Sequence, residues 1–152
     1  MNTLLEINFL NFFNYYDKID RFFKNNKESE NVFHPHELSC LGFYKEIKNK
    51  NKDKYFLLFN DDNNDIISYG LIRGFDEGYK IPSIGLLVDK NYRSKGYGEK
   101  LLNYIHSYLK MCDVDVVRLT VEKQNHLAIS LYNKYGYVFK EEGHRLIGFK
   151  NL

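Results

Sequence analysis

Cysteine is scarce: Cys40 and Cys112 are the only two in 152 residues, without metal-type spacing and too few for a disulfide framework. Two reduced thiols are expected, which suits a cytoplasmic protein. An uncharged apolar run of about 18 residues, which a membrane-spanning helix would need, is missing as well. The N-terminal stretch MNTLLEINFLNFFNYYDKID is rich in Leu and Phe, but Asn, Asp and Glu interrupt it. It lacks the basic region and small-residue cleavage site of a signal peptide. Neither sign of charge dominates, since 22 Lys and Arg stand against 20 Asp and Glu. The net charge of +2 provides no broad field for nucleic acid or an anionic membrane, so any anion must be held by a local site. Tryptophan is absent and proline occurs twice, while 13 Tyr and 12 Phe carry the aromatic content. With 43% hydrophobic residues the chain can bury one continuous core, and a single domain over residues 1–152 is expected.

Periodicity then orders the elements. Leu4 to Asn8 reads as a first strand, and Phe12, Phe13, Tyr16, Ile19 and Phe23 recur at helical spacing over residues 11–25. After the polar stretch NNKESEN and the segment HPHE, Leu38, Leu41, Tyr44 and Ile47 trace one face of a second helix. Tyr55 to Phe59 and Ile66 to Ile72 are strand-length apolar runs around NDDNND, a hairpin-turn composition. Ser83 to Val88 is a further strand that leads through DKNYRSKGYG into an amphipathic helix carrying Leu101, Leu102, Ile105, Tyr108 and Leu109 on one face. Val114 to Val121 follows as a strand. A short helix begins at Asn125, a good N-cap, and stops at Gly136, where a left-handed C-cap belongs. Tyr137 to Lys140 and Leu146 to Phe149 close the chain as strands around Glu142 and Gly143, giving an α/β order on a mixed sheet.

The segment that carries chemistry is R-S-K-G-Y-G, residues Arg93 to Gly98. A strand running through it directly into a helix gathers backbone N–H groups at a helix N-terminus, which attracts phosphate. Gly96 and Gly98 leave room for close approach by a ligand. Arg93 and Lys95 add local positive charge. On its own this is also what an ordinary strand-to-helix turn looks like, but here an apolar strand precedes it. The strand VVRLTV and the pattern N-x-x-A-x-x-x-Y-x-x-x-G follow.

In this order and spacing, from about Ile66 to Phe149, the sequence resembles the GNAT superfamily of acyl-coenzyme A dependent N-acyltransferases. The resemblance implies a layered α/β fold, with a twisted, mostly antiparallel mixed sheet of about seven strands flanked by about four helices. It implies acetyl-coenzyme A as cosubstrate, bound without a metal by Leu86, Leu87, Val88, Arg93, Ser94, Lys95, Gly96, Tyr97, Gly98, Asn125 and Tyr132. Lys90 and Tyr137 depart from the family pattern, where proline and phenylalanine are common, without removing a chemical group. The pantetheine arm would pair with the edges Leu86 to Val88 and Leu119 to Val121. The Val88 N–H would meet the developing oxyanion, and Tyr132 would protonate the leaving thiolate. The plain alternative for Tyr132 is core packing, and for Asn125 helix capping.

His34 and His36 flank Pro35, and imidazoles titrate near neutral pH, so either suits a proton acceptor or a substrate contact. His36 is preferred because Glu37 and the start of a helix follow it; the alternative is a polar turn capping that helix. His106, His126 and His144 occupy ordinary places. A small-molecule amine is the expected acceptor, and FHPHEL resembles enzymes that acetylate nucleotide-linked amino sugars. Phe33, Phe75 and Tyr79 would offer stacking faces to a sugar nucleotide. Protein, peptide or polyamine amines are the rival acceptors, and a non-catalytic acyl-coenzyme A binding module is the rival class. A homodimer is compatible with this family, and neither nucleic acid nor membrane is an expected partner.

Overall fold

The computed structural model describes residues 1–152. Seven strands form one sheet: β1 (Asn2–Glu6), β2 (Lys54–Asn60), β3 (Ile66–Arg73), β4 (Ser83–Val88), β5 (Val116–Glu122), β6 (Val138–Glu142) and β7 (Arg145–Asn151). Their order is β1-β2-β3-β4-β5-β7-β6, antiparallel except for the parallel β4–β5 pair. Four helices cover the sheet: α1 (Tyr16–Asn25), α2 (Cys40–Ile47), α3 (Tyr97–Met111) and α4 (His126–Lys134).

Alternation along the central strands explains why they are apolar on both faces. Tyr55, Leu57 and Phe59 of β2 point into a core shared with Ile19 and Phe23 of α1 and Phe43 of α2. Phe56 points the other way, into a core shared with Leu101, Ile105 and Leu109 of α3. Gly70 of β3 is where α3 comes closest, because a Cβ there would lie 3.0 Å from both Ile105 and Leu101 side chains. No helix is long and apolar enough to cross a membrane.

Several boundaries shift from the expected ones, each for a local reason. β1 ends before Asn8, whose side-chain oxygen accepts from the Leu10 and Asn11 amides and turns the chain. The first helical segment opens with a 3₁₀ turn at Phe12–Tyr15 before α1. α2 starts two residues later than Leu38 because Ser39 is its N-cap, accepting from the Gly42 amide at 2.9 Å. β5 starts at Val116 because the Val114 amide still closes the end of α3 on the Leu109 carbonyl. The polar stretch after α1 contains a second 3₁₀ turn, Lys27–Asn31.

Candidate active site

β4 and β5 share a single registered pair, Ser83 with Arg118, and then separate. The strands on either side fix which backbone groups face the gap. Asp89 donates to the Ile67 carbonyl at 2.8 Å, so antiparallel alternation turns Leu87 and Gly85 toward β3 and Leu86 and Val88 toward β5. Across the gap, Lys123 donates to the His144 carbonyl and Leu152 to the Asp115 carbonyl. The same alternation pairs odd-numbered β5 residues with β7 and leaves Thr120 and Glu122 facing β4. The opening therefore offers two facing rows of backbone donors and acceptors that an extended ligand chain can bond. The Val88 carbonyl already accepts from Arg93 Nε at 3.1 Å, which leaves the Val88 N–H as the group facing the gap at the strand end.

The turn after β4 is built by contacts from far along the chain. Asp89 is buried, accepts from Asn91 N at 2.8 Å and from Asn26 Nδ2 at 2.7 Å, and Asn26 Oδ1 accepts from Lys90 N. Arg93 Nη2 donates to Ser29 Oγ at 2.9 Å, so its guanidinium ties the 3₁₀ turn after α1 to the end of β4. Gly96 is the N-cap of α3 with φ 84° and ψ 0°, a left-handed conformation, and no atom lies within 4 Å of where its Cβ would be. Gly98 has a packing role, since a Cβ there would meet Leu131 of α4 at 3.3 Å.

This turn, the end of β4 and the start of α4 enclose a cavity of about 270 Å³. Leu86, Leu87, Val88, Arg93, Ser94, Gly96, Gly98, Asn125 and Tyr132, all expected at a coenzyme site, line it. Lys95 and Tyr97 do not. Lys95 Nζ donates to the Asn91 carbonyl at 2.9 Å and sits over the Tyr92 ring, and Tyr97 packs edge-on to Tyr92. Tyr92, Ser29 and Leu127 join the wall without having been singled out in the sequence.

Asn125 caps α4, its Oδ1 accepting from Ala128 N at 3.3 Å. One turn and more beyond, Tyr132 is 4% exposed and its ring lies 5.3 Å from that of Tyr137. Its hydroxyl makes no hydrogen bond within the protein, and burial pushes its pKa well above the usual tyrosine value. The phenol is therefore a protonated donor at neutral pH. Tyr132, Asn125, Leu86 and Phe33 also line a second cavity of about 210 Å³ on the other side of the opening. Tyr132 stands where the two meet.

The two candidate histidines part company. His34 is exposed, lines the second cavity, and places Nε2 3.6 Å from Oε1 of buried Glu122. Arg145 Nε, at 3.2 Å, and His144 Nε2, at 3.6 Å, complete the surroundings of that carboxylate. His36, the preferred base in the sequence, lines neither cavity. Its Nδ1 lies 2.7 Å from the Glu37 carbonyl and its Nε2 2.9 Å from the Tyr69 hydroxyl, so both nitrogens are engaged. The ring stacks on Phe43, and burial holds its pKa below the ordinary histidine value. It is a core polar link, because a carbonyl that fixes one nitrogen as donor leaves the other to accept from Tyr69.

An opened parallel strand pair, a glycine-bearing turn at a helix N-terminus and a phenol at the junction of two cavities form the candidate site. The family follows from comparison. The model of the acetyltransferase (GNAT) family matches residues 14–137, and the chain belongs to that family. A curated relative, described as a probable spermine N(1)-acetyltransferase of Bacillus subtilis subsp. natto (strain BEST195), is 32% identical over 78 residues. That match covers 49% of this chain and 51% of the relative, so the chain spans about half the relative's length. The ribosomal-protein-S5-alanine acetyltransferase of Vibrio fischeri superposes with a TM-score of 0.78 at 13% identity, covering 99% of this chain and 92% of that one. PaiA N-acetyltransferase of Thermoplasma acidophilum, solved in complex with coenzyme A, gives 0.75 at 15% identity, covering 100% and 99%. At these identities the two structures establish the GNAT fold.

Proposed function

We propose that the protein transfers the acetyl group of acetyl-coenzyme A directly to a primary amine, beside Tyr132. The observation that carries this is the junction itself: one unbonded, protonated phenol lining both cavities at the mouth of the opened strands. The cavity at the turn, walled by Arg93, Gly96 and Gly98, suits the coenzyme. Left-handed Gly96 leaves open space in front of the first-turn amides of α3, where a diphosphate would lie. The edges of β4 and β5 suit the amide-bearing pantetheine arm. The Val88 N–H is aimed to stabilise charge on the thioester oxygen, and Tyr132 to protonate the departing thiolate. On the acceptor side, His34 backed by the Glu122 carboxylate is the proton acceptor, in place of His36.

The acceptor is a small or peptide-borne amine. A polyamine enzyme among the relatives and a protein-alanine enzyme among the structural neighbours support that choice. The expectation of a nucleotide-linked amino sugar loses its basis, because half of the FHPHEL signal, His36, is core structure. The test is coenzyme thiol release over polyamines, N-terminal peptides, aminoglycosides and sugar nucleotides. Release with an amine, and acetylated product by mass spectrometry, is the expected result. Tight coenzyme binding with no release from any amine would make the protein a binding module instead.

A further inference from the structure

Beyond the second cavity a larger groove of about 800 Å³ follows β5 away from Tyr132. The acids in it are already matched. Glu46 accepts from the Tyr55 hydroxyl at 2.8 Å and lies 3.5 Å from Arg73, while Glu77 lies 2.9 Å from Lys50. Lys50 is shared with Asp53 at 3.2 Å, and Arg73 donates to the Pro35 carbonyl at 2.7 Å. Two cations are left over. Lys80 is exposed and makes no ion pair. Arg118 makes no side-chain hydrogen bond and has no carboxylate within 4 Å, yet its Nε is sealed from solvent without an acceptor.

Nε is closed off, but the terminal guanidinium nitrogens carry no partner and Arg118 lines the groove, where a carboxylate or phosphate can take two parallel bonds from the planar fork. Alternation along β5 places Arg118, Thr120 and Glu122 on one face, opposite Val117, Leu119 and Val121, which fill the α3 core. Thr120, Arg73 and Ser83 line both the groove and the second cavity, so the two are continuous. Four residues of strand span roughly 13 Å. A molecule whose amine sits by Glu122 and His34 thus meets Arg118 with its far end.

We propose that the acceptor is an amine bearing an anionic group, carboxylate or phosphate, within roughly 13 Å of its nitrogen, and that Arg118 selects it. This rests on the acetyl acceptor binding beside Tyr132. The test is a series on one eight-carbon chain: 8-aminooctanoate, 8-aminooctyl phosphate, 8-aminooctanol and 1,8-diaminooctane. Each is titrated calorimetrically into the protein with coenzyme A present. The two anions should bind at least tenfold more tightly than the alcohol and the diamine, and the tighter of the two names the group. Arg118→Gln should abolish that preference while leaving affinity for the alcohol and for coenzyme A unchanged. Arg118→Lys, which keeps charge without the fork, should retain only part of it. Equal or tighter binding of the alcohol or diamine to the wild-type protein overturns the proposal without needing any variant, as does a preference that survives in Arg118→Gln. Thiol release in the same series is read separately. Anion preference with no release with any amine would remove the transfer function and leave the anion site standing, whereas release without preference would do the reverse.

Discussion

Gly96→Ala separates ligand binding from backbone strain, and the geometry says by how much. Gly96 holds φ 84° and ψ 0°, and nothing lies within 4 Å of an added Cβ. A methyl group therefore meets no atom in the free protein, and the only penalty is the left-handed conformation, about 1–2 kcal/mol for a residue with a Cβ. For a chain of this size that is a fall in Tm of about 2–8 °C. Gly78 is a matched control: its φ is 81°, it too has nothing within 4 Å, and it lies outside the turn cavity. Gly78→Ala should show the same loss of stability. The two variants should part only with ligand, because the Gly96 Cβ occupies the space in front of the α3 N-terminus where the diphosphate belongs. Coenzyme A affinity should drop at least tenfold, about 1.4 kcal/mol, in Gly96→Ala and stay at the wild-type value in Gly78→Ala. Scanning calorimetry and titration calorimetry on both proteins read the two effects. Equal coenzyme affinities for the two variants would refute the placement of the diphosphate.

Three other outcomes follow from the histidines. His36→Ala should destabilise the protein by about 1–3 kcal/mol in urea unfolding, because it orphans the fully buried Tyr69 hydroxyl. His34→Asn should leave stability within about 0.5 kcal/mol and depress turnover most near neutral pH, where a neutral imidazole can take a proton that the acceptor ammonium still carries, with the loss shrinking toward acid and toward high pH; an equal loss at every pH would assign His34 to binding. Burial, aided by Lys150 and Lys110, lowers the His106 pKa from 6.5 to about 4, and its Nε2 lies 2.7 Å from the Tyr137 hydroxyl. The folded protein keeps this ring neutral while the unfolded chain takes up a proton, so stability present above pH 6.5 should be lost as pH falls toward 4, by on the order of 3 kcal/mol. His106→Gln should flatten that part of the profile.

Local chemistry made part of this site legible. β4 runs over the six residues read from SIGLLV, and Asn125 and Gly136 mark α4 because a cap and a left-handed glycine are local devices. The glycine turn was readable for the same reason. Contacts between distant segments were not. The local cues near HPHE, Glu37 and a helix start, favour His36, whereas Tyr69, 33 residues away, draws that ring into the core. Likewise the turn at Lys27–Asn31 is defined by Ser29 meeting Arg93 and Asn26 meeting Asp89. Glu122 and Arg118 had a signal that went unused: the period-two pattern of VVRLTVE puts both on the polar face of β5, alongside Thr120.

The central claim is that Tyr132 donates the proton that lets the thiolate leave, and Tyr132→Phe tests it most directly. Its hydroxyl bonds to nothing in the protein, so the substitution should leave folding intact. Steady-state thiol release, followed across pH with the accepted amine and with coenzyme A affinity measured alongside, should show kcat reduced about 100-fold and coenzyme A affinity unchanged. Wild-type turnover at every pH would contradict the account and leave Tyr132 as a packing residue.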